Sequence, residues 1–247
     1  LEDESVGTTT SQQSFLFSKV LPDLTSNIRR GNSLVGWDIM ESDVYNIEEQ
    51  KKINPFDYEN SFKKVFDNDG FDVIVGNPPY LKERGNAEIF APVAVSSLGK
   101  KYHQGKMDYW YYFVHKAIEI LKPKGFLGYI TNSYWMNNDG ASLLRENIKK
   151  NLQVLSIIDY DNSKVFKDVN GKHNTAIFRK NPSKKYTTDI YIIKNKKQPE
   201  ELSSFEKNTL PNSSLFDSKG KVNLSERPID FSVYDILSDY YDSSVGV

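Results

Sequence analysis

The sequence predicts an α/β fold in which short buried strands alternate with amphipathic helices around a mostly parallel sheet. Residues 71–76 form a short, mostly apolar run, typical of a strand that is buried on both faces of such a sheet. Residues 108–121 repeat apolar side chains at helical spacing, and Pro123 and Gly125 follow to end the helix. The chain has 247 residues, 38% of them hydrophobic, which suffices for one core and part of a second domain.

The same periodicities predict the other elements along the chain. Helices are expected at residues 14–21, 58–66, 140–151 and, more weakly, 228–240. Strands are expected at residues 27–34, 126–131, 154–159, 175–179 and 189–193. Residues 81–105 show no clear period and contain three glycines, so we expect a long functional loop there. The composition becomes more polar after about Lys180, which predicts one domain over residues 1–182 and the start of a second over residues 183–247.

Composition excludes several classes of protein. The chain has no cysteine, so a disulfide framework and a thiolate zinc site are excluded, and a reducing cytoplasm is the expected compartment. No metal site is predicted. No apolar run approaches the roughly 18 residues that a membrane span requires. The polar, acidic residues 1–13 do not resemble a signal peptide, and a start at Leu1 suggests a piece of a longer protein.

Charge is unevenly distributed although the net charge is only -1. Residues 164–197 contain ten Lys or Arg against two acids, whereas residues 38–72 contain ten acids against four lysines. A local basic stripe can neutralise DNA phosphates even when the whole chain is nearly neutral. The alternative is an ordinary solvated surface that is rich in lysine.

Candidate chemistry follows the strand at residues 71–76, because ligands in open α/β sheets bind outside the carboxyl ends of strands. The next four residues are Asn77, Pro78, Pro79 and Tyr80. The two proline rings stiffen the turn and hold the Pro78 carbonyl in one direction, while Asn77 adds a side-chain carbonyl beside it. Two adjacent acceptors suit the two hydrogens of an amino group, and Tyr80 offers a flat face to a heteroaromatic ring. The alternative is a turn that merely ends the strand.

This arrangement would solve a specific chemical problem. The exocyclic amine of adenine is a poor nucleophile because its lone pair is delocalised into the ring. Two acceptors that hold both N–H bonds favour a tetrahedral nitrogen and direct its lone pair at an electrophilic methyl group. Catalysis would then consist of positioning and electrostatics, without a covalent intermediate.

The segment from Phe71 to Tyr80 resembles the fourth motif of the adenine amino-methyltransferases. Its neighbours resemble, in order, further motifs of the gamma subgroup and of type IIG restriction–modification enzymes. These are residues 27–38 for the third motif, 106–113 for the fifth, 125–135 for the sixth, and 164–166 with 174–178 for the seventh and eighth. The resemblance covers about residues 14–180. It implies a Rossmann-like methyltransferase sheet, with residues 1–182 as the catalytic core and residues 183–247 as the beginning of a target-recognition or linker region.

The resemblance also implies roles for individual residues. Asn77 and Pro78, in the Asn77-Pro78-Pro79-Tyr80 catalytic motif, would hold the target amino group, and Tyr80 would stack on a flipped base. Phe166 would close on another face or edge of that base, unless it is a core residue. The family's S-adenosylmethionine contacts fall on four residues: Asp38, Ile39, Asp108 and Tyr109. Asp38 could instead be a loop cap, and His173, near the proposed site, reads as a surface histidine.

One family feature is missing from this sequence. The first motif, an acidic residue and a Gly-rich turn after the first strand, normally binds the methionine part of the cofactor. None of the 14 glycines forms such a turn after an apolar strand. We therefore expect the sheet to be incomplete at its N-terminal side, where its first two strands would lie, and the isolated fragment to be inactive.

The expected partner is double-stranded DNA with a flipped adenine, together with a fused or associated nuclease and specificity domain. Two other enzymes use the same tetrapeptide, an RNA adenine methyltransferase and a protein glutamine methyltransferase. The long 81–105 segment, the basic stripe and the start of a second domain favour DNA. A non-catalytic DNA-binding fragment is the alternative from a different class.

Overall fold

The computed structural model describes residues 27–41, 43–161, 163, 165–166, 171–193 and 204–225. The chain divides into two units, residues 1–31 and 32–247, and every element named below belongs to the second unit. The helices predicted at residues 14–21 and 228–240 lie outside the described residues.

A six-stranded sheet organises the described residues, in the order β1-β2-β4-β3-β5-β6. Its strands are β1 (Phe71–Gly76), β2 (Leu121–Asn132), β3 (Leu152–Asp159), β4 (His173–Lys180), β5 (Thr187–Ile193) and β6 (Phe205–Pro211). The α/β class is therefore confirmed. The strands predicted from residue 71 to residue 193 are all present, and β6 is an additional strand in a segment whose polar residues concealed it.

The pairing of the strands is more mixed than the sequence predicts. β1 is parallel to β2 and β3 to β5, whereas β4 is antiparallel to both β2 and β3, and β6 is antiparallel to β5. Strands β1, β2, β3 and β5 thus point the same way, as alternating strands and helices require. β4 differs because the chain reverses after β3 and returns into the space between β2 and β3.

β1 is not buried on both faces as predicted. It pairs with β2 on one side, and no described strand pairs with its other side. Val73 and Val75, whose side chains share one face of β1, are 55% and 76% exposed, although their sequence is that of an interior strand. The exposed side chains show that this face of the strand is largely uncovered.

The helices connect these strands and cover the sheet. They are α1 (Ile47–Ile53), α2 (Tyr58–Ser61), α3 (Lys63–Phe66), α4 (Ala87–Val95), α5 (Ser97–Tyr102), α6 (Trp110–Ile120), α7 (Ser142–Asn151) and α8 (Asn212–Leu215). Short 3-10 turns occupy Trp37–Glu41, Ser133–Met136 and Asp139–Ala141. Within the described ranges, no helix is long and apolar enough to cross a membrane.

Helix α6 forms the centre of the core. Seven of its residues are buried: Trp110, Tyr111, Tyr112, Val114, His115, Ala117 and Ile118. The Tyr112 ring packs against Phe90 of α4 at 6.0 Å and against Tyr109 at 6.0 Å. The helix predicted at residues 108–121 is therefore confirmed, and it places its preceding residues, Asp108 and Tyr109, beside β1 and β2.

Two sequence predictions before the sheet's second strand are wrong. Residues 27–34 form no strand, because the Asn32 side chain accepts a hydrogen bond from Leu34 N–H and turns the chain. Residues 81–105 are not a continuous loop but contain α4 and α5. Pro92 inside α4 concealed the first helix, whereas Ser96, which accepts from Gly99 N–H, is a readable start signal for the second.

Residues beyond the predicted boundary at 182/183 continue the same sheet. β5 pairs with β3, and Val222 N–H donates to the Met136 carbonyl at 3.0 Å. The described residues of 183–225 therefore pack with the core that precedes them. The alternating burial of Thr188 and Ile190 at the start of β5 is that of a strand packed on one face. The point at which a recognition region begins stays a prediction.

Candidate functional site

The Asn77–Tyr80 segment lies at the carboxyl end of β1, as predicted. β1 ends at Gly76, which pairs with Tyr129 of β2. A Cβ atom at Gly76 would lie 3.1 Å from the Tyr129 ring, so a small residue is favoured at this approach of the two strands. Asn77 and Pro79 are exposed, Pro78 is buried and Tyr80 is half-buried. The segment therefore presents Asn77 to solvent, while the buried side chain of Pro78 packs against the fold.

The two predicted acceptors differ in how they are engaged. Asn77 Oδ1 accepts a hydrogen bond from the Tyr80 hydroxyl at 2.7 Å, which leaves it one further lone pair. The Pro79 carbonyl accepts from Leu81 N–H at 3.2 Å. The Pro78 carbonyl, by contrast, accepts no hydrogen bond from any described residue. Both predicted acceptors can thus still receive a hydrogen from a ligand.

Tyr80 is held in place at both ends. Its hydroxyl also lies 3.0 Å from the Ile130 carbonyl of β2, and its ring lies 5.6 Å from the ring of His173. Burial raises the pKa of Tyr80 to about 12, so the hydroxyl remains a proton donor at neutral pH. The orientation of the ring is therefore determined by the hydroxyl as well as by packing.

Phe166 is joined to the same site through ring contacts, because His173 contacts both Phe166 and Tyr80. The rings of Phe166 and His173 are 5.3 Å apart at 82°, an edge-on contact, and Phe166 is half-buried rather than in the core. His173 is 1% exposed, so the expectation of a surface histidine is wrong. Its position explains the difference, because it begins β4, which lies between β2 and β3. Burial lowers the pKa of His173, which favours the neutral ring.

Asp108 and Tyr109 lie next to the Asn77–Tyr80 segment. Tyr109 N–H donates to the Leu81 carbonyl at 2.7 Å. The backbones of Lys82 and Asp108 form an isolated antiparallel β-bridge. The Asp108 carboxylate is 5% exposed and accepts from Asn132 Nδ2 at 2.9 Å, its one described hydrogen-bond partner. Its second oxygen is available to a ligand. Burial raises the pKa of Tyr109.

Asp38 and Ile39 occupy the 3-10 turn Trp37–Glu41. Asp38 Oδ2 accepts from Ser97 N–H, the first residue of α5, at 2.5 Å, so Asp38 caps this helix. The sequence left open whether Asp38 is a cap, and this bond shows that it is one. The cap uses one of the two carboxylate oxygens. Ile39 is fully buried. Ile39, Phe90 of α4 and Tyr109 belong to one hydrophobic core, in which the rings of Phe90 and Tyr109 lie 5.0 Å apart.

The basic stripe is only partly described, and three of its cations have partners within the fold. Lys172 pairs with Asp161, and Lys180 donates to the Leu121 carbonyl. Arg179 lies over the Phe126 ring at 5.7 Å. These three contacts weaken the interpretation of the stripe as a continuous phosphate-binding surface.

Sequence reasoning missed Asn132 and His173. Asn132 ends β2 and pairs across the sheet with His173. The rule that pointed to Asn77 could have found Asn132, since polar residues also follow the apolar part of β2. No comparable signal marked His173, because its burial depends on the antiparallel position of β4.

Known proteins resemble more than half of this chain. It is 33% identical over 153 residues to the type II restriction enzyme and methyltransferase RM.Eco57I of Escherichia coli, covering 60% of this chain and 14% of that protein. It is 32% identical over 136 residues to the type II methyltransferase M.HincII of Haemophilus influenzae, covering 55% and 27%. The chain thus spans less than a third of either relative.

A solved structure, that of the type IIG restriction endonuclease BpuSI, matches with a TM-score of 0.45 and 15% identity, over 60% of this chain and 20% of that one. The model of the Eco57I restriction-modification methylase family matches residues 8–166, which include every site residue that the sequence predicts. On that match, this chain belongs to the Eco57I restriction-modification methylase family.

Proposed function

We propose that this chain is the catalytic part of a site-specific DNA methyltransferase that methylates the exocyclic N6 amine of adenine within a restriction–modification system. The observation that carries this proposal is the pair of acceptors at the end of β1. Asn77 Oδ1 retains a lone pair, the Pro78 carbonyl has no described donor, and Tyr80 stands beside them. An amino group has two hydrogens for these two acceptors, and its purine has a face for the tyrosine.

Asn77 and Pro78 would act on the nucleophile alone. By accepting both N–H hydrogens they would hold the nitrogen lone pair away from the purine ring and towards the methyl donor. The new N–C bond would form as the S–CH3 bond of the methyl donor breaks and leaves a neutral thioether. The acceptors would stabilise the positive charge on the nitrogen until it gives up one proton to solvent. Preorganised acceptors of this kind require no rearrangement during the reaction.

The residues near the site suit S-adenosylmethionine. When bound, this cofactor supplies an electrophilic methyl group on a sulfonium ion. Asp108 offers a buried carboxylate oxygen, and Asp38 retains one oxygen beyond its bond to Ser97. Carboxylates suit the hydroxyl, amino and cationic groups of such a ligand. Ile39 and Tyr109 would border its apolar parts.

The proposed partner is double-stranded DNA, from which the adenine must be extruded because an amine inside a duplex cannot reach the end of β1. Both relatives are named for type II restriction or modification activity. We therefore include a fused or associated nuclease and specificity domain in the proposal, with residues 183–247 beginning the target-recognition region. Such an enzyme would act in the cytoplasm.

The test uses the full-length protein with S-adenosylmethionine carrying a labelled methyl group, and genomic DNA without the modification. Digestion to nucleosides and mass spectrometry should reveal labelled N6-methyladenine. Labelled RNA or protein glutamine would replace this proposal with one of the other enzymes that use the tetrapeptide. Labelled cytosine would place the product on a different base. DNA binding without any label would favour the non-catalytic alternative.

A further inference from the structure

His173 connects the two aromatic residues of the candidate site. It contacts the ring of Tyr80 at 5.6 Å and 44°, and the ring of Phe166 at 5.3 Å and 82°. Tyr80 follows β1, whereas Phe166 lies between β3 and β4, so the two come from distant parts of the sequence. The imidazole is the described side chain that both rings contact, and it is 1% exposed.

Two polar atoms without partners lie on this cross-strand pair. Asn132 Oδ1 and His173 Nδ1 are buried, and neither has a hydrogen-bond partner among the described residues. The Gly171 carbonyl lies near enough to oppose the lowering of the His173 pKa, but it makes no well-formed hydrogen bond with the ring. Unpartnered buried polar atoms destabilise the fold, and folded proteins satisfy nearly all of them. Of these two atoms, His173 Nδ1 belongs to the ring that contacts both Tyr80 and Phe166, so it is the one placed to bond a ligand group at this site.

We propose that His173 is the residue that positions the target base: its ring holds Tyr80 and Phe166 at the spacing that the base requires, and its Nδ1 hydrogen-bonds a ring nitrogen of the purine. This inference rests on the proposed function and adds a recognition element to it. Adenine has ring nitrogens that only accept, so the neutral imidazole would carry its proton on Nδ1. A neutral ring also suits this position, because the imidazole is 1% exposed and burial disfavours its charged form.

Two substitutions in the full-length enzyme separate the two contributions of His173. His173→Phe keeps an aromatic ring and removes the nitrogen, so kcat/KM should fall about tenfold, the effect of one hydrogen bond, while base flipping remains. His173→Ala removes both contributions and should lower kcat/KM by about a hundredfold or more, with loss of the fluorescence of 2-aminopurine placed at the target position. Wild-type kcat/KM in either variant would overturn the proposal.

A second measurement identifies the hydrogen bond directly. Substrates with 1-, 3- or 7-deazaadenine at the target each lack one ring nitrogen. One of them should cost the wild type about tenfold and cost His173→Phe nothing further, because the variant has already lost the same bond. If all three losses are additive with the substitution, Nδ1 does not bond the base and the proposal is wrong.

His115 offers a matched control. It is also a buried histidine, but its ring stacks on Tyr102 at 4.1 Å. Among the described ring contacts, it touches neither Tyr80 nor Phe166. His115→Phe should lower stability without changing the response to deazaadenine. The proposed function is tested separately by the wild type. If the wild type makes no N6-methyladenine, the proposed function fails, whereas an active wild type with an unaffected His173→Ala overturns this inference alone.

Discussion

The Tyr80 hydroxyl donates a hydrogen bond to Asn77 Oδ1 at 2.7 Å, so the proposed stacking residue also orients the proposed acceptor. The sequence suggests that Tyr80 contributes only the face of its ring, and on that basis Tyr80→Phe should be mild. The contact with Asn77, together with the second one to the Ile130 carbonyl, changes this expectation.

We now expect Tyr80→Phe to lower kcat about fivefold while base flipping stays close to wild type. The ring that stacks remains, but Asn77 loses a bond worth about 1 kcal/mol that fixes its side chain. Single-turnover methylation and 2-aminopurine fluorescence, measured on the full-length enzyme, separate the two effects. A wild-type kcat would show that the Tyr80 hydroxyl has no role in orienting Asn77.

Asn77→Ala should abolish methylation and preserve both the fold and most of the DNA affinity. Phosphate contacts supply much of the affinity of a DNA-binding protein, whereas Asn77 would act on one amino group. Asn77 is exposed, so its truncation leaves no cavity in the core. The measurements are methyl transfer and DNA binding at one stated salt concentration. Near-wild-type turnover would remove Asn77 from the list of acceptors for the target nitrogen.

Tyr80→Ala or Phe166→Ala should each weaken base flipping, and the double substitution should nearly eliminate it. Stacking contributes roughly 1–3 kcal/mol per base, which offsets the few kcal/mol that extrusion costs. The assay is again 2-aminopurine fluorescence at the target position. Substrates with an unpaired target should partly rescue the single variants, because unpairing has been done in advance. Unchanged fluorescence in Phe166→Ala would assign that residue to packing alone.

The isolated chain should bind S-adenosylmethionine weakly or not at all. Asp38, Ile39, Asp108 and Tyr109 suit parts of this ligand, but no glycine of the chain forms the Gly-rich turn that holds its methionine part in the resembling enzymes. Titration calorimetry provides the measurement. Micromolar affinity for the isolated chain would contradict the expectation, and a longer polypeptide that supplies such a turn should bind more tightly.

Acid should destabilise the chain through His115. Burial lowers its pKa to about 3 from the usual 6.5, and Asn147 Nδ2 lies 2.7 Å from its Nδ1, a contact that suits a neutral ring. The unfolded state therefore binds the proton more readily, so this contribution is complete above pH 6.5 and is lost as the pH falls towards 3. Between pH 7 and pH 5 the loss should reach roughly 2 kcal/mol.

Urea denaturation at these two pH values measures the effect. His115→Gln removes the titrating ring but keeps an amide that can bond to Asn147, so its free energy of unfolding should depend less on pH. Other groups titrate in both proteins and largely cancel in the comparison. Equal pH dependence in the two proteins would show that His115 is not the group responsible.

By itself, the sequence determined the α/β class, the strand that carries the Asn77–Tyr80 segment and helix α6 (Trp110–Ile120). These features are local: an apolar run followed by Asn-Pro-Pro-Tyr, or a helical stripe ended by proline and glycine, needs no distant partner to be recognised. The family resemblance extended this to Asp108, which the structure does place beside the segment.

Tertiary structure alone decided the neighbours of these residues. The position of β4 between β2 and β3 turned a presumed surface histidine into the buried link between Tyr80 and Phe166. Val73 and Val75 of β1 are largely exposed on one face of the strand, although their sequence is that of an interior strand. The physical reason is the same for both. Burial in a strand depends on which strands pair with it and which elements cover its faces, and side-chain patterns along one segment do not specify those neighbours.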